Sequence, residues 1–196
     1  MTQKLKTVLC LAAFALLIVV VALGYNALAG RTEPPQIAFP EEAAGPAEET
    51  GAVRQRAPDF AFVDRNGNGM RFSDITAGGK PVVLNFWASW CPSCRNETPG
   101  FERVYRDRGD EVKFVMLGLA DGVRETVETG MRYIEDGGFT LPVYFDTLRE
   151  GAIAYGIRFI PTTVLIDAEG YVITAMQGAV NEARLRSAID AMLSPR

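Results

Sequence analysis

A continuous apolar segment, VVLNFWA at residues 82–88, runs almost directly into the pentapeptide Trp90-Cys91-Pro92-Ser93-Cys94. An unbroken apolar run of this length is typical of a strand buried on both faces of a sheet. Pro92 favours the first turn of a helix, where its missing N–H leaves no hydrogen bond unmade. The sequence therefore predicts a buried strand that delivers two cysteines to the start of a helix.

This setting gives the two cysteines different roles. Cys91, at the mouth of the helix, meets unpaired backbone N–H groups and the positive end of the helix dipole, and both favour the reactive thiolate. Cys94 follows by about one turn, close enough to attack a mixed disulfide formed at Cys91. We therefore expect thiol–disulfide exchange, with Cys91 as the nucleophile and Cys94 as the resolving thiol.

The residue composition argues against the other functions that a CxxC motif can serve. The chain has no histidine and three cysteines, of which Cys10 lies in an N-terminal apolar run, where it serves as an apolar filler. A zinc site needs about four ligands, which this chain cannot supply from one CxxC. A purely structural disulfide would close a very small loop and contribute little chain entropy. We expect no metal and no cofactor beyond the redox-active disulfide Cys91–Cys94, and the net charge of −4 argues against nucleic acid as a partner.

Strand and helix patterns alternate after residue 57. A hairpin is expected around the turn at 66–69, followed by a short helical turn capped by Ser73. The buried strand comes next, then a helix to about residue 106, a second buried strand at 112–119 and a helix from about 123 to 136. A short strand at 143–145, a helix at 147–155, paired strands at 162–166 and 171–177, and a last helix capped by Asn181 complete the order. This order predicts an α/β fold with a mixed central sheet and helices on both faces.

The N-terminus predicts export. Residues 1–30 combine an early Lys4 and Lys6 with an apolar run from Val8 to Leu23, which fits a membrane anchor with the remainder on the outer side. The same segment fits a signal cleaved after Ala29, which would leave a secreted or periplasmic protein. Residues 31–56 are rich in Pro, Glu and Ala and predict a linker, and residues 57–196 form the expected catalytic domain.

Two longer stretches, VVLNFWASWCPSCRNETP and FDT…AYGIRFIPTTVLIDAEG, resemble the membrane-anchored thioredoxin-like reductases of the TlpA/ResA type. The resemblance covers about residues 57–193. It implies a thioredoxin fold with an N-terminal β-hairpin and a central strand-and-helix insertion at about residues 123–145. It also implies a cis bond before Pro161, which would pack beside the disulfide, with the backbone of Ile160 offered to the substrate.

The family resemblance also implies a function. Such proteins take electrons from an integral membrane thiol carrier and reduce disulfides of exported proteins, for example apocytochrome c before haem attachment. We therefore expect an extracytoplasmic, monomeric protein-disulfide reductase. A disulfide-forming oxidase or isomerase would use the same cysteines, and a peroxide-reducing enzyme or a non-enzymatic binding module on the same scaffold are further alternatives.

Residues around the motif complete the expected site. Asn85 stands where thioredoxin has a buried Asp, and Glu97 aligns with a glutamate implicated in the anchored family. Glu97 follows Cys94 by three residues, so it is expected either to accept a proton, to tune the cysteines, or simply to lie solvated in an early helical turn. Trp87 is expected in the core, while Phe159 fits either the core or the rim of the site. The expected substrate-binding residues are Trp90, Pro92, Ile160, Pro161 and Thr162.

Overall fold

The computed structural model describes residues 16–18 and 54–194. Residues 16–18 are helical and exposed. Within the described ranges no helix is long and apolar enough to cross a bilayer. The membrane segment predicted within residues 1–30 lies outside these ranges except for residues 16–18, as do residues 31–53 of the predicted linker.

One seven-stranded sheet organises residues 54–194, in the order β2-β1-β5-β4-β3-β6-β7. Its strands are β1 (Ala61–Asp64), β2 (Gly69–Arg71), β3 (Val82–Trp87), β4 (Lys113–Gly118), β5 (Val143–Phe145), β6 (Thr162–Ile166) and β7 (Val172–Gln177). Five helices pack on it: α1 (Phe72–Thr76), α2 (Pro92–Arg108), α3 (Val127–Asp136), α4 (Glu150–Ala154) and α5 (Glu182–Leu193).

The sheet is mixed, as expected. Strand β3 pairs in parallel with β4 and antiparallel with β6, while β1 and β2 form the predicted antiparallel hairpin. Every residue of β3 is buried. Successive residues of β3 enter opposite cores: Val83 packs with α2, α3 and α5, and Leu84 packs with residues of α1 and β1 on the other face. The thioredoxin fold, including the inserted helix α3 and strand β5, is therefore confirmed.

Three helix starts differ from the prediction, those of α1, α3 and α4. Helix α3 begins at Val127 rather than near Val123. The carboxylate of Asp121 accepts hydrogen bonds from the backbone N–H groups of Val123, Arg124 and Glu125, which holds that stretch as a loop. Helix α1 begins at Phe72, so Ser73 lies within it and does not cap it.

Other boundaries agree closely. Strand β6 spans the predicted residues 162–166, and Asn181 caps α5 by accepting a hydrogen bond from the N–H of Arg184 at 2.9 Å. Helix α4 is shorter than predicted and covers residues 150–154.

The last residues of the predicted linker lie beside the turn between β6 and β7. Arg54 forms an ion pair with Asp167, and Arg56 makes an isolated antiparallel bridge to Tyr171. Both guanidinium groups stack over the Tyr171 ring, at 4.3 and 4.8 Å from its centroid. The domain boundary at residue 57 stays a prediction.

Candidate functional site

The two cysteines of the motif form a disulfide at the N-terminus of α2. Cys91 is the N-cap residue, with extended backbone, and its Sγ accepts a hydrogen bond from the N–H of Cys94 at 3.2 Å. Pro92 is the first helical residue, as predicted, and it is exposed. Cys91 is 5% exposed and Cys94 is 1% exposed. An incoming thiol therefore reaches the Cys91 sulfur more readily, while a helix N–H stabilises negative charge on it.

The segment before β6 closes the site from the other side. The Ile160–Pro161 peptide bond is cis, as the family resemblance implies. The carbonyl oxygen of Ile160 lies 3.8 Å from Cys91 Sγ, so the backbone next to Pro161 and the reactive sulfur share one surface. Thr162 is buried, and its hydroxyl donates to the carbonyl of Phe159 at 2.8 Å. This hydrogen bond stabilises the turn before β6, and the prediction that Thr162 binds substrate stays a prediction.

Aromatic residues of the site divide between core and surface. Trp87 is fully buried, as predicted, whereas Trp90, next to Cys91, is 40% exposed. Phe159 is 67% exposed, which places it at the rim and settles the choice left open by the sequence. Trp90 and Phe159 thus expose apolar surface next to Cys91 and Ile160, respectively, along the chain.

Glu97 is not a solvated side chain. It is 4% exposed, and its Oε1 accepts a hydrogen bond from Asn85 Nδ2 at 2.8 Å while its Oε2 accepts one from the N–H of Val180 at 2.8 Å. Asn85 Nδ2 also donates to Thr163 Oγ1 at 3.0 Å. Among the described residues, neither cysteine sulfur is a hydrogen-bond partner of this carboxyl group.

The surroundings of Glu97 make it a proton-exchanging group near neutral pH. Burial raises its pKa from 4.5 to about 7, and the hydrogen bonds from Val180 and Asn85 offset only part of that rise. Both partners are neutral, so no cation holds the carboxylate ionised. A carboxyl group with a pKa near 7 can gain or lose a proton at working pH.

The loop between β4 and α3, which the sequence did not indicate as part of the site, contacts Ser89 and Trp90 just before Cys91. Glu125, which is fully buried, accepts hydrogen bonds at Oε2 from the N–H of Ser89 at 2.9 Å and from its hydroxyl at 2.7 Å. The guanidinium of Arg124 stacks on the Trp90 ring, 3.7 Å from its centroid. The available signal was the place of both residues just after β4, which pairs in parallel with β3, because carboxyl ends of parallel strands meet at one edge of a sheet.

Carboxyl groups thus flank the motif on two sides. Burial raises the pKa of Glu125, and hydrogen bonds from Ser89 oppose that rise. Its Oε1 has no hydrogen-bond partner among the described residues. Among the described residues, five carboxyl groups are buried, and no Lys or Arg is: Glu97, Glu102, Glu125, Asp146 and Asp167.

Metal ligation finds no support in the described part of the chain. Within it, no group of three or more His, Cys, Asp or Glu side chains is placed to hold a metal ion. The disulfide at the start of α2 supports exchange at sulfur, and the carboxyl groups of Glu97 and Glu125 lie near the motif.

Comparisons with known proteins agree with this geometry. Residues 53–175 match the model of the AhpC/TSA family. The thiol-disulfide oxidoreductase ResA of Bacillus subtilis (strain 168) is 33% identical over 132 residues, which make up 66% of this chain and 69% of that protein. ResA of Geobacillus kaustophilus is 34% identical over 134 residues, or 67% of this chain and 72% of the relative.

Solved structures show the same fold. A thiol:disulfide interchange protein of the thioredoxin family from Chlorobium tepidum superposes with a TM-score of 0.63 and 27% identity, covering 73% of this chain and 99% of that one. StoA from Bacillus subtilis superposes with a TM-score of 0.57 and 27% identity, covering 66% of this chain and 95% of that one. The chain therefore belongs to the AhpC/TSA family, and it is a thiol–disulfide oxidoreductase of the ResA type.

Proposed function

We propose that the protein is an extracytoplasmic disulfide reductase that donates electrons from Cys91 and Cys94 to disulfides of exported proteins. The observation that carries this direction is the charge around the motif. Two buried carboxyl groups, Glu97 and Glu125, lie on either side of it, and the described buried residues include no Lys or Arg.

Electrostatics links that observation to the direction of electron flow. A strong oxidant of this class is one whose reduced, thiolate-bearing form is stabilised. Buried negative charge acts the other way, because it disfavours a nearby thiolate and so favours the neutral disulfide. It opposes the N–H groups at the start of α2, which stabilise the thiolate. A protein that prefers its own disulfide gives electrons to other disulfides.

The reaction proceeds in two exchange steps. The Cys91 thiolate attacks one sulfur of the substrate disulfide, forms a mixed disulfide and releases the first substrate thiolate. The Cys94 thiol then loses its proton and attacks Cys91 Sγ, which releases the second substrate thiolate and forms the Cys91–Cys94 disulfide. Two electrons pass to the substrate, and its two thiolates take up two protons. Glu97, one helical turn after Cys94, is the proposed acceptor of the Cys94 proton.

The substrate is held on the surface around Cys91. Trp90 and Pro92 are exposed beside the sulfur, and the Ile160 carbonyl lies 3.8 Å from it. An extended substrate segment would lie against Ile160 and Pro161, with its cysteine opposite Cys91. Thr162 contributes by fixing the turn, since its hydroxyl is used by Phe159.

The compartment and the partners follow from the N-terminus. Residues 1–30 would either anchor the domain or direct its export, with residues 31–56 as spacer, and an integral membrane thiol carrier would re-reduce the disulfide. One relative with the same fold at 26% identity is described as an exposed lipoprotein thioredoxin of Streptococcus pneumoniae, which supports an extracytoplasmic site. Apocytochrome c, whose haem-binding cysteines must be reduced, is the proposed example of a substrate.

A deletion strain tests this function directly. Alkylation of exported proteins should reveal oxidised apocytochrome c cysteines in the deletion strain, and added dithiothreitol should restore their reduction. The wild-type gene should complement, as should Cys10→Ser, which lies outside the motif, whereas Cys91→Ser should not. Accumulation of over-reduced exported proteins in the deletion strain would instead indicate an oxidase.

A further inference from the structure

Arg124 is held against Trp90, the residue before the reactive cysteine, by a loop built around two carboxylates. Asp121 accepts hydrogen bonds from the N–H groups of residues 123–125 at 2.7 to 3.0 Å. These bonds, together with the nearby Arg124 charge, lower the pKa of Asp121, which therefore stays ionised. Glu125 ties the loop to Ser89, two residues before Cys91. The Arg124 guanidinium then lies 3.7 Å from the centroid of Trp90.

The stacked guanidinium keeps its hydrogen-bonding edge. Stacking on an indole uses the face of the planar group and leaves its five N–H donors in the plane, where they suit a carboxylate. Within residues 16–18 and 54–194, Arg124 forms no ion pair, and its side chain donates no hydrogen bond. Several arginines of α2 and α5 differ, because each is paired with a carboxylate: Arg103, Arg106, Arg108 and Arg186.

Two further arginines lie close to the site residues along the chain, in addition to Arg124. Arg95 lies immediately after Cys94 and stacks over Tyr133, 4.9 Å from the ring centroid. Arg158 lies two residues before Ile160. The acids on this side are engaged: Asp121 is bound to its own turn, and the carboxylate of Glu125 is buried against Ser89. Arg95, Arg124 and Arg158 are exposed, whereas Glu97 and Glu125, the carboxyl groups proposed to disfavour the thiolate, are buried.

We propose that Arg124 is a specificity-determining residue, which selects substrates that carry an acidic residue close to the reacting cysteine. This proposal rests on the reductase function given above and names its substrate class. The substrate cysteine must approach Cys91 beside Trp90, and two residues span at most about 7 Å. A Glu or Asp one or two positions from that cysteine can therefore reach the guanidinium, whereas a Lys at the same position meets repulsion.

Matched peptides test the proposal. Two peptides would each contain one disulfide and differ only in flanking residues, Glu in one and Lys in the other; 2-hydroxyethyl disulfide serves as a neutral substrate. Full-length reduced protein should show a kcat/KM about fivefold higher for the acidic peptide at low salt, a ratio typical of one exposed charge pair. The preference should fall towards unity at 1 M salt, where charges are screened within about 3 Å.

Variants at two arginines separate this role from a general effect of charge. Arg124→Gln should reduce the preference to about twofold or less, and Arg124→Glu should reverse it. The rate with the neutral disulfide is measured for each variant as its own baseline, and the preference is the ratio of the two peptide rates within one protein. Arg65→Glu makes the same charge change in the exposed turn between β1 and β2, at the opposite end of the sheet from Cys91, and should keep the wild-type ratio.

Two results would overturn the proposal: equal use of both peptides by the wild type, or an unchanged ratio in Arg124→Glu. Failure of the reductase function is distinguishable, because the wild type would then leave the neutral disulfide unreduced as well. In that event the reverse reaction, between oxidised protein and the reduced peptides, should show the same preference, since both directions bring the same residues past Arg124. Absence of the preference in the reverse direction also overturns the proposal.

Discussion

Asn85 donates a hydrogen bond to Glu97 at 2.8 Å, across the interface between the central strand β3 and helix α2. The other carboxylate oxygen of Glu97 accepts from the backbone N–H of Val180, in the segment before α5. The carboxyl group is thereby fixed inside the core, between neutral donors, three residues after Cys94. This arrangement links the charge of Glu97 to the stability of the domain, and it underlies the proposal that Glu97 accepts the proton of the resolving thiol.

Stability should depend on pH through Glu97. Its pKa is about 7 in the folded protein against an ordinary 4.5, so the folded state binds more protons between these values. The free energy of unfolding should therefore fall as pH rises from 4.5 to 7, by at most about 3.5 kcal/mol, since each unit corresponds to about 1.4 kcal/mol. Denaturant unfolding of the oxidised protein and of Glu97→Gln at each pH measures the difference. An identical pH dependence in both would contradict the assignment.

The rate of the resolving step should also depend on pH through Glu97. If Glu97 accepts the Cys94 proton, Glu97→Gln should slow the resolving step by about 100-fold at pH 8, within the usual range for a positioned base. The variant should also lose the step in rate near pH 7. Stopped-flow decay of the mixed disulfide against pH is the measurement. Glu135→Gln, at an exposed carboxylate of α3, is the control and should retain the wild-type profile.

Substitution of the two cysteines should affect thiol–disulfide exchange in different ways. Cys91→Ser should abolish exchange, because it removes the sulfur that faces Ile160. Cys94→Ser should instead accumulate mixed disulfides with physiological partners, since the first step remains and the resolving thiol is gone. Non-reducing electrophoresis of membranes, followed by identification of the trapped proteins, measures this. Exported Cys94→Ser that captures no protein would contradict the two-step exchange.

Ser89 should contribute to stability through Glu125. Ser89→Ala removes a 2.7 Å hydrogen bond to a buried carboxylate and should lower the free energy of unfolding by about 1.5–3 kcal/mol. Ser93→Ala, at an exposed position in the same motif, should change it by less than about 0.5 kcal/mol. Equal effects of the two substitutions would show that Glu125 does not hold the loop before Cys91.

Local patterns in the sequence predicted much of the fold. The apolar run at 82–88 predicted β3, because a strand that is buried on both faces does not alternate between polar and apolar residues. Asn181 was identifiable as a cap because its side chain bonds within the next turn of chain. The start of α3 was misplaced because Asp121 competes for the N–H groups of residues 123–125, a contact that hydrophobic periodicity does not report.

The site was predictable only where its chemistry is local. Cys91, Cys94 and Pro92 lie within one helical turn, so their spacing reveals their relationship. Glu97 accepts a hydrogen bond from Val180, which is 83 residues away in the sequence. Ser89 donates to Glu125, which is 36 residues away. Such contacts arise from the pairing of strands and the packing of α5, which short-range patterns in a single sequence do not specify.

The reduction potential of the Cys91–Cys94 pair tests the central claim most directly. Full-length protein would be equilibrated against thiol buffers of known potential, with the fluorescence of Trp90, next to Cys91, as the readout. The buried carboxyl groups of Glu97 and Glu125 predict a strongly reducing pair, near the value of about −270 mV for thioredoxin. A value near about −120 mV, which characterises a strong oxidant, would contradict the reductase and reverse the direction of electron flow.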